Sequence, residues 1–181
     1  MIFRALPLPG AYLIEPERHE DARGFFARIF CIEEFAARGL ATRFVQTSIA
    51  TNTRAGTLRG MHYQLAPKAE VKLVRCTRGK VYDVIVDLRP GSPTYAQWTA
   101  VELSARSAAT LYVPEGLAHG YQTVEDDSEL VYDISEFHDP ALARGVRWDD
   151  PALAIRWPAA SARVMSDRDR SWPDLERVDG A

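Results

Sequence analysis

The chain has 181 residues, which is the length of one ordinary domain and enough to bury a sizeable core. Hydrophobic residues make up 46% of it and charged residues 26%, a composition that predicts a soluble globular protein. The net charge of -3 argues against a general nucleic-acid binder, which would be basic, but it permits a local cationic pocket for one small anion.

The early part of the chain predicts no membrane or export segment. Its first ten residues, MIFRALPLPG, lack the apolar core and cleavage site of a signal peptide. No apolar run is long enough to span a membrane. Cys31 and Cys76 form neither a CxxC pair nor a disulfide framework, so we expect reduced thiols. These features predict a cytoplasmic protein that binds no membrane.

One helix and then many short strands are expected in chain order. Residues 32–38 predict a helix, because Gly39 follows them and helices often end at glycine. Strands are predicted at 44–52, 58–64, 71–76, 81–88, 98–103, 110–113, 119–124 and 130–135, with turn signals between them. We expect loops and a short helix or two in 148–158 and the tail. Since no linker or repeat interrupts it, 1–181 is predicted to be a single all-β domain, a sandwich or barrel.

The predicted strand 81–88 shows the clearest alternation of side chains. Val81, Asp83, Ile85 and Asp87 share one face, and the residues between them share the other. Successive side chains of a strand point to opposite faces, so this pattern predicts a strand with two distinct environments.

The most informative motif is GTLRGMHYQ, residues 56–64, with Lys72 shortly after it. We expect Arg59, His62 and Lys72 on neighbouring strands. Histidine has an unperturbed pKa near neutrality, which suits a general base. Such a base needs a partner that fixes its tautomer. The ordinary alternative is a core histidine bonded to the backbone, and the motif alone leaves both open.

A second motif, PEGLAHG at residues 114–120, matches the P-x-G-x-x-H half-motif of cupins, and Gly56 with His62 matches the start of the other half. A metal cupin would carry another histidine two residues after His62, where this chain has Gln64. Zinc, iron and manganese sites need three or four ligands. Only His62, His119 and Glu70 remain, so we expect no metal. A metal-dependent cupin, such as a dioxygenase or isomerase, stays an alternative.

The other polar candidates each have an ordinary structural alternative. Lys72 is an enolate stabiliser or a solvated strand lysine. Arg59 grips a phosphate or makes a surface salt bridge. Tyr132 is an acid or a half-buried aromatic. Arg23 also fits a turn, His119 fits corner packing, and Ser166 to Asp169 fits a helix N-terminus.

Taken together, the motifs resemble the dTDP-4-dehydrorhamnose 3,5-epimerase family of nucleotide-sugar epimerases. They follow in register as D-x-RG-x-F (21–26), FVQ (44–46), GTLRGMHYQ (56–64), KLVR (72–75), SPTY (92–95), PEGLAHG (114–120), WDDP (148–151) and SDRD (166–169). The resemblance implies a cupin-type jelly roll with short peripheral helices, a homodimer, a nucleoside-diphosphate sugar as substrate, and no metal or other cofactor.

The resemblance also implies roles for individual residues. His62 is similar to the family's catalytic base, with Asp169 as its orienting carboxylate, and Tyr132 to the acid on the opposite face of the sugar. Lys72 resembles the group that stabilises the developing O4 enolate. The residues that resemble substrate-binding positions are Arg23, Gln46, Arg59, His119 and Arg168, with Arg23 and Arg59 directed toward the diphosphate and Arg168 standing where lysine is common.

Four positions depart from the family pattern at the nucleotide end of the pocket. Arg28 replaces a glutamate that contacts the base, Ser48 an asparagine, His138 a tyrosine and Ala143 a glutamate. A guanidinium offers only donors where a carboxylate offers acceptors. We therefore expect a nucleotide preference that departs from strict thymidine selectivity. The alternative is that Arg28 turns away and pairs with Glu33 or Asp21.

The resemblance implies an epimerase that inverts C3, C5 or both in a nucleoside-diphosphate 4-keto-6-deoxy sugar, with dTDP-4-dehydro-6-deoxyglucose as the leading substrate. Both carbons lie next to the carbonyl, so their protons are acidified and no redox cofactor is needed. One alternative is an epimerase that acts at a single centre or on another nucleotide. A non-catalytic sugar-nucleotide binder is the other.

Overall fold

A computed structural model describes residues 1–175; the end of the predicted domain, 176–181, lies outside the described residues. Nearly all of its regular structure is strand. The strands are β1 (Ile2–Ala5), β2 (Tyr12–Glu15), β3 (Arg18–Asp21), β4 (Gly24–Ala27), β5 (Gln46–Asn52), β6 (Leu58–Gln64), β7 (Lys72–Arg78), β8 (Lys80–Asp87), β9 (Trp98–Ser104), β10 (Thr110–Val113), β11 (Leu117–Thr123), β12 (Ser128–Ile134) and β13 (Ala143–Gly145). The helices described are α1 (Ile32–Ala36) and α2 (Asp167–Arg170).

The strands form two antiparallel sheets that face each other. The first sheet has the order β1-β2-β10-β7-β12-β5, and the second has the order β13-β6-β11-β8-β9. Strands β3 and β4 form a separate two-stranded hairpin. The predicted all-β jelly roll with short peripheral helices is confirmed.

The main core lies between the two sheets, where inward side chains of both meet. Val74, Leu111 and Leu130 from the first sheet pack with Val81 and Ile85 from the second. Strand β8 keeps the predicted alternation: Val81 and Ile85 face this core, while Val84 and Val86 belong to a second cluster on the outer face of their sheet. Because both faces of β8 are covered, the inward carboxylates Asp83 and Asp87 are fully buried.

Further layers cover the outer faces of the sheets. Phe35 of α1 packs with Leu73 and Tyr112 on the outside of the first sheet. The segment after β13 covers the outside of the second sheet with Val146, Leu153 and Trp157. Residues 148–158 form turns and extended chain, and the short helix expected in this segment and the tail is α2. No helix of the described residues is long and apolar enough to cross a membrane.

Two predictions about the strands were wrong. Strands β6 and β7 are not neighbours, because β6 pairs with β11 and β13 while β7 pairs with β10 and β12. Arg59 and His62 therefore lie in the second sheet and Lys72 in the first, across the sandwich from each other. The early chain also contains β1 to β4, which the sequence reading left without strands. Each has only four residues, too few for a clear alternation.

Candidate active site

A cavity of about 470 Å³ opens between the two sheets and is closed on one side by α2. Ten of the predicted site residues line it: Gln46, Ser48, Arg59, His62, Lys72, His119, Tyr132, His138, Arg168 and Asp169. They come from both sheets, the 135–142 loop and α2. The fold thus brings residues that are up to about 120 positions apart in the chain into one cavity.

His62 and Asp169 form a direct pair in this cavity. His62 Nε2 lies 2.5 Å from Asp169 Oδ1. Burial favours the neutral acid, but the hydrogen bond from His62, together with the charge that His62 carries when it is protonated, outweighs it and holds the pKa of Asp169 below its usual value. Because an ionised carboxylate only accepts hydrogen bonds, Nε2 carries the hydrogen and neutral His62 has its lone pair on Nδ1. The His62 side chain is 42% exposed, so this lone pair is accessible to a bound molecule.

Helix α2 holds Asp169 in place. Ser166 is its N-cap, and the Ser166 hydroxyl accepts a hydrogen bond from the backbone N–H of Asp169 at 3.1 Å. This confirms the predicted helix N-terminus in the SDRD motif. Trp172, one turn later, donates its indole N–H to Asp169 Oδ1 at 3.4 Å and packs edge-on to the His62 ring. The carboxylate is thus oriented from two sides before it meets His62.

Lys72 reaches the cavity from the opposite sheet. Its Nζ lies 3.0 Å from Glu70 Oε1 and donates to the backbone carbonyl of His62 at 3.2 Å. The side chain is only 10% exposed, so Lys72 is not a solvated strand lysine. The Glu70 carboxylate balances a cation that stands beside the His62 strand. This placement suits a charge that stabilises a developing oxyanion.

Tyr132 also belongs to the first sheet, on β12. Its ring packs edge-on to the His119 ring, with centroids 5.8 Å apart. Burial raises the pKa of Tyr132 well above its usual value, and the neighbouring Tyr121 and Asp83 raise it further. The hydroxyl therefore keeps its proton near neutral pH and can donate it.

His119 lies on β11 directly opposite His62 on β6. Its Nε2 is 2.7 Å from Oδ1 of the buried Asp83. His119 is 4% exposed and borders the cavity. Two of the three histidines that line the cavity, His62 and His119, are therefore each paired with their own carboxylate.

Arg59 is fixed along the cavity wall by Asn52. Its Nε donates to Asn52 Oδ1 at 3.0 Å, and its Nη2 donates to the carbonyl of Thr51 at 3.1 Å. Tyr121 donates to the same Asn52 oxygen at 3.1 Å. Arg59 makes no salt bridge within the described residues, which leaves its charge for a bound anion.

The rim of the cavity carries the remaining predicted contacts. Gln46 Oε1 accepts a hydrogen bond from the backbone N–H of His138 at 2.8 Å, which joins β5 to the 135–142 loop. Arg168 stacks its guanidinium on Trp172, 5.0 Å from the ring centroid. Ser48 and Ala143 lie at the same rim.

Arg23 and Arg28 do not line this cavity. Arg23 lies at the β3–β4 turn with a 90% exposed side chain that pairs with Asp21 at 2.5 Å. The Arg28 side chain is 65% exposed and lies 3.7 Å from Glu34, rather than from Glu33 or Asp21. Within a single chain neither arginine reaches the cavity, because Arg23 lies on the exposed β3–β4 turn and Arg28 lies beside Glu34 of α1.

Gln64, at the position where a metal cupin carries a histidine, hydrogen-bonds backbone groups and so has a structural role. Its amide donates to the carbonyls of Lys68 and Phe137 and accepts from the backbone N–H of Asp139. The side chain therefore holds two loops at the cavity wall. No group of three or more potential metal ligands occurs in the described residues.

No role at the site was assigned to Asp83, Trp172 or Arg144 from the sequence. Asp83 had a signal, since it is a carboxylate on the inward face of an otherwise apolar strand. Trp172 had a weak one, because it follows Asp169 by one helical turn. Arg144, which lines the cavity from β13, had none.

The geometry supports proton transfer on an anionic ligand. One accessible base, one protonated phenol and one buried lysine enter the same cavity, and the base comes from the opposite sheet to the other two. Arginine and histidine side chains surround them. Both acids that line the cavity, Glu70 and Asp169, are already paired.

Comparison with known proteins gives the same result. A sequence model of the family described as dTDP-4-dehydrorhamnose 3,5-epimerase matches residues 5–177. The enzyme of that name from Sinorhizobium fredii is 41% identical over 175 residues, which is 97% of this chain and 90% of the relative.

Solved structures are equally similar. The Bacillus anthracis dTDP-4-dehydrorhamnose 3,5-epimerase with TDP and PPi bound is 38% identical, with a TM-score of 0.92 over 96% of this chain and 99% of the other. A 3′-monoepimerase from Streptomyces bikiniensis in complex with dTDP-quinovose is 37% identical, with a TM-score of 0.87 over 93% of this chain and 85% of the other. The chain belongs to the dTDP-4-dehydrorhamnose 3,5-epimerase family of isomerases, as its motifs predict.

Proposed function

We propose that this protein inverts C3 and C5 of dTDP-4-dehydro-6-deoxyglucose and so forms dTDP-4-dehydrorhamnose. The observation that carries the proposal is the position of the base and the acid. His62, oriented by Asp169, enters the cavity from the second sheet, and Tyr132 enters it from the first. A sugar ring between them has one face toward the base and the other toward the acid.

Each inversion needs one proton removed and one returned. His62 Nδ1 takes the proton from a carbon next to the C4 carbonyl. The C–H electrons form a carbon–carbon double bond, and O4 becomes an enolate oxygen. Tyr132 then gives its proton to the same carbon from the other face, and the carbonyl reforms. Exchange with solvent removes the proton from His62 and returns one to Tyr132, so the cycle needs no redox step.

Lys72 stabilises the enolate in this scheme. It is buried and cationic beside Glu70, and its Nζ is already oriented by the His62 carbonyl. A preorganised charge of this kind needs no rearrangement as the negative charge develops on O4. Burial strengthens the interaction, because water does not screen it.

The diphosphate would bind the arginines at the wall and rim. Arg59 presents a guanidinium with no carboxylate partner in the described part of the chain, and Arg168 stands at the rim beside α2. Guanidinium groups match phosphate geometry with paired hydrogen bonds. The nucleobase of the substrate would lie toward Gln46, Ser48 and His138. There the departures at Ser48, His138 and Ala143 relax the selectivity for thymine.

A homodimer would give Arg23 and Arg28 a role. The β3–β4 hairpin carries both toward the outside of its own chain and exposes Phe25 by 48% and Phe26 by 75%. If the hairpin of one copy lies at the cavity of the other, the two arginines meet the nucleotide there.

The experiment is to incubate the protein with dTDP-4-dehydro-6-deoxyglucose in deuterated water and follow C3 and C5 by NMR. Deuterium at both carbons with inverted product supports the proposal. Incorporation and inversion at C3 alone would support the second candidate, a single-centre epimerase. The observation that favours this second candidate is the similarity to the 3′-monoepimerase, which at 37% identity is comparable to the similarity to the 3,5-epimerases. Binding without any exchange would favour the non-catalytic binder and overturn both.

A further inference from the structure

Asp83 is a fully buried carboxylate whose hydrogen bonds are incomplete. It lies on β8 with no exposed surface. One oxygen, Oδ1, is bonded to His119 Nε2 at 2.7 Å, and the other, Oδ2, has no hydrogen-bond partner within residues 1–175. A buried carboxylate left with one unpaired oxygen is costly unless its charge is neutralised nearby. The presence of this carboxylate therefore points to a role in orienting His119, its one hydrogen-bond partner among the described residues.

The groups around the pair include both cations and acids. Asp83 faces Val101 across β9 and Tyr121 across β11, so neither strand neighbour brings a charge. The titratable and charged groups around the pair are Lys72 with Glu70, His62 with Asp169, Arg59, Tyr121 and Tyr132. His119 and Lys72 are the cations that lower the pKa of Asp83. Lys72 is already paired with Glu70, so His119 is the remaining group that can balance Asp83.

The proton count of the pair decides what His119 offers to the cavity. With one proton for the pair, Asp83 is ionised, Nε2 carries the hydrogen, and Nδ1 has a lone pair. With a second proton there are two forms. Either His119 is an imidazolium beside a carboxylate, or Asp83 is a carboxylic acid that donates to Nε2. In both forms Nδ1 carries a hydrogen.

Burial favours the pair with two protons. It raises the pKa of Asp83, while the charges of His119 and Lys72 and the hydrogen bond from His119 oppose that rise. With one proton, the pair has a buried carboxylate whose Oδ2 has no partner in the described residues, beside a Lys72 that is already paired with Glu70, and this is its least favourable state. Both two-proton forms avoid that state, so we expect the pair to keep its second proton, either on Asp83 or on His119.

We propose that Asp83 is a positioning residue that keeps a hydrogen on His119 Nδ1, so that His119 donates to the sugar beside Lys72. The two histidines of the cavity that are paired with carboxylates then have opposite roles. Asp169 leaves the lone pair of His62 Nδ1 free to accept a proton, and Asp83 makes His119 Nδ1 a donor. No other side chain of the described residues hydrogen-bonds His119, so Nδ1 remains for a ligand.

The role of this donor in catalysis rests on the proposed function. A hydrogen bond from His119 Nδ1 would stabilise the oxygen that becomes negative when the C–H bond breaks. Loss of one such donor in other enzymes lowers kcat on the order of 100-fold. The protonation state of His119 does not depend on the substrate, so it can be measured separately.

The test is long-range ¹H–¹⁵N NMR of the protein labelled with ¹⁵N-histidine, with the His119 signals assigned from a His119→Gln variant. We expect a protonated Nδ1 at neutral pH in the wild type. In Asp83→Asn, which keeps the shape of the side chain, we expect Nδ1 to lose its hydrogen. A deprotonated Nδ1 in the wild type would overturn the proposal, as would a protonated one in Asp83→Asn. If that variant does not fold, the wild-type spectrum alone decides.

Asp87→Asn is the matched control. Asp87 lies four residues along the same face of β8 and is equally buried, but it bonds Arg89, Ser92 and Thr94. We expect His119 to be unchanged in this variant; the same loss as in Asp83→Asn would show a general loosening of β8 and overturn the proposal.

Deuterium uptake completes the test. In Asp83→Asn we expect kcat for uptake to fall on the order of 100-fold with KM changed less than threefold. An unchanged kcat would overturn the catalytic part of the proposal. If the wild type took up no deuterium, the proposed function would fail while the NMR result still decided the state of His119.

Discussion

Four polar side chains that line the cavity are each oriented by a second polar side chain behind them. The partner fixes which atom faces the ligand and which charge the group carries, so little rearrangement is needed when the substrate binds. Such preorganisation explains why polar residues occupy an otherwise apolar jelly roll. The pairs are His62 with Asp169, Lys72 with Glu70, His119 with Asp83, and Arg59 with Asn52.

His62→Asn tests the base. Because His62 Nδ1 is the accessible lone pair, we expect uptake of deuterium at C3 and C5 to fall at least about 100-fold. His138→Asn, at the rim where the nucleotide would bind, is the control: its KM should rise, while kcat for uptake at saturating substrate should stay within a few-fold of the wild type. Uptake at the wild-type rate in His62→Asn would remove His62 from the mechanism.

Tyr132→Phe tests the acid. The ring stays packed on His119 and only the proton donor is lost, so deprotonation by His62 can continue while inversion stops. We expect deuterium uptake to persist and inverted product to decrease. Tyr63→Phe, which removes another hydroxyl at the cavity, should change neither. An unchanged yield of inverted product from Tyr132→Phe would make Tyr132 structural.

Chelation tests the expectation of a metal-free site. The Gln64 amide is hydrogen-bonded to backbone groups of two loops, so it is not free to bind a metal. We expect full turnover after treatment with a chelator and desalting. Turnover that is lost on chelation and restored by one added metal would favour the metal-dependent alternative.

At the scale of elements, the site depends on how closely β6 approaches β11. A Cβ added to Gly60 would lie 2.5 Å from Gly120 Cα and 2.9 Å from the His119 carbonyl oxygen. These are backbone atoms, which do not move aside as a flexible side chain would. The two glycines therefore let β6 and β11, and with them His62 and His119, lie close together beside the irregularity at 119–121.

Gly60→Ala should be more harmful than Gly24→Ala. Both glycines have the same strained backbone, with φ of +130° and +126°, but nothing lies within 4 Å of a Cβ at Gly24. We expect each variant to lose about 1–3 kcal/mol of unfolding free energy to backbone strain. Gly60→Ala should lose a further 1–3 kcal/mol or so from the clash.

Denaturant unfolding of the two variants measures this difference, and deuterium uptake shows whether the site is displaced. Equal stabilities would mean that the contact between β6 and β11 is not tight.

At the scale of the whole molecule, one chain leaves surfaces that are unusual for an isolated jelly roll. The β3–β4 hairpin is separate from both sheets, and two-stranded hairpins are marginally stable alone. It exposes Phe25 and Phe26, and the edge strand β5 exposes 62% of Ile49. A second copy that covers the hairpin and the edge would bury these side chains and complete the predicted homodimer.

Phe26→Asp tests the dimer. The exposed ring is expected to be buried between two copies, where a carboxylate would be costly. We expect the wild type to sediment at twice the mass of the 20.3 kDa chain and the variant to sediment as a monomer with weaker nucleotide binding. Val124→Asp replaces another exposed apolar residue, away from the hairpin, and should stay dimeric. A wild type that sediments at the mass of one chain would overturn the homodimer.

Much of the fold followed from local pattern. The alternation in 81–88 and the regular turn signals depend on neighbouring residues, so β5 to β12 were predicted within a few residues of their observed ends. The four-residue strands β1 to β4 could not be recognised this way, since they depend on pairing partners more than on their own pattern.

The sequence by itself determined the family, the β architecture and which residue types serve the site, because motifs and strand periodicity are local properties. Only the tertiary structure decided that His62 and Lys72 face each other from opposite sheets, that Asp83 is buried against His119, and that Arg23 lies outside its own cavity. Sheet pairing and burial arise from contacts between distant residues. Sheet pairing and burial set the charge and orientation of each side chain in the cavity, and neither can be inferred from the local sequence around that residue.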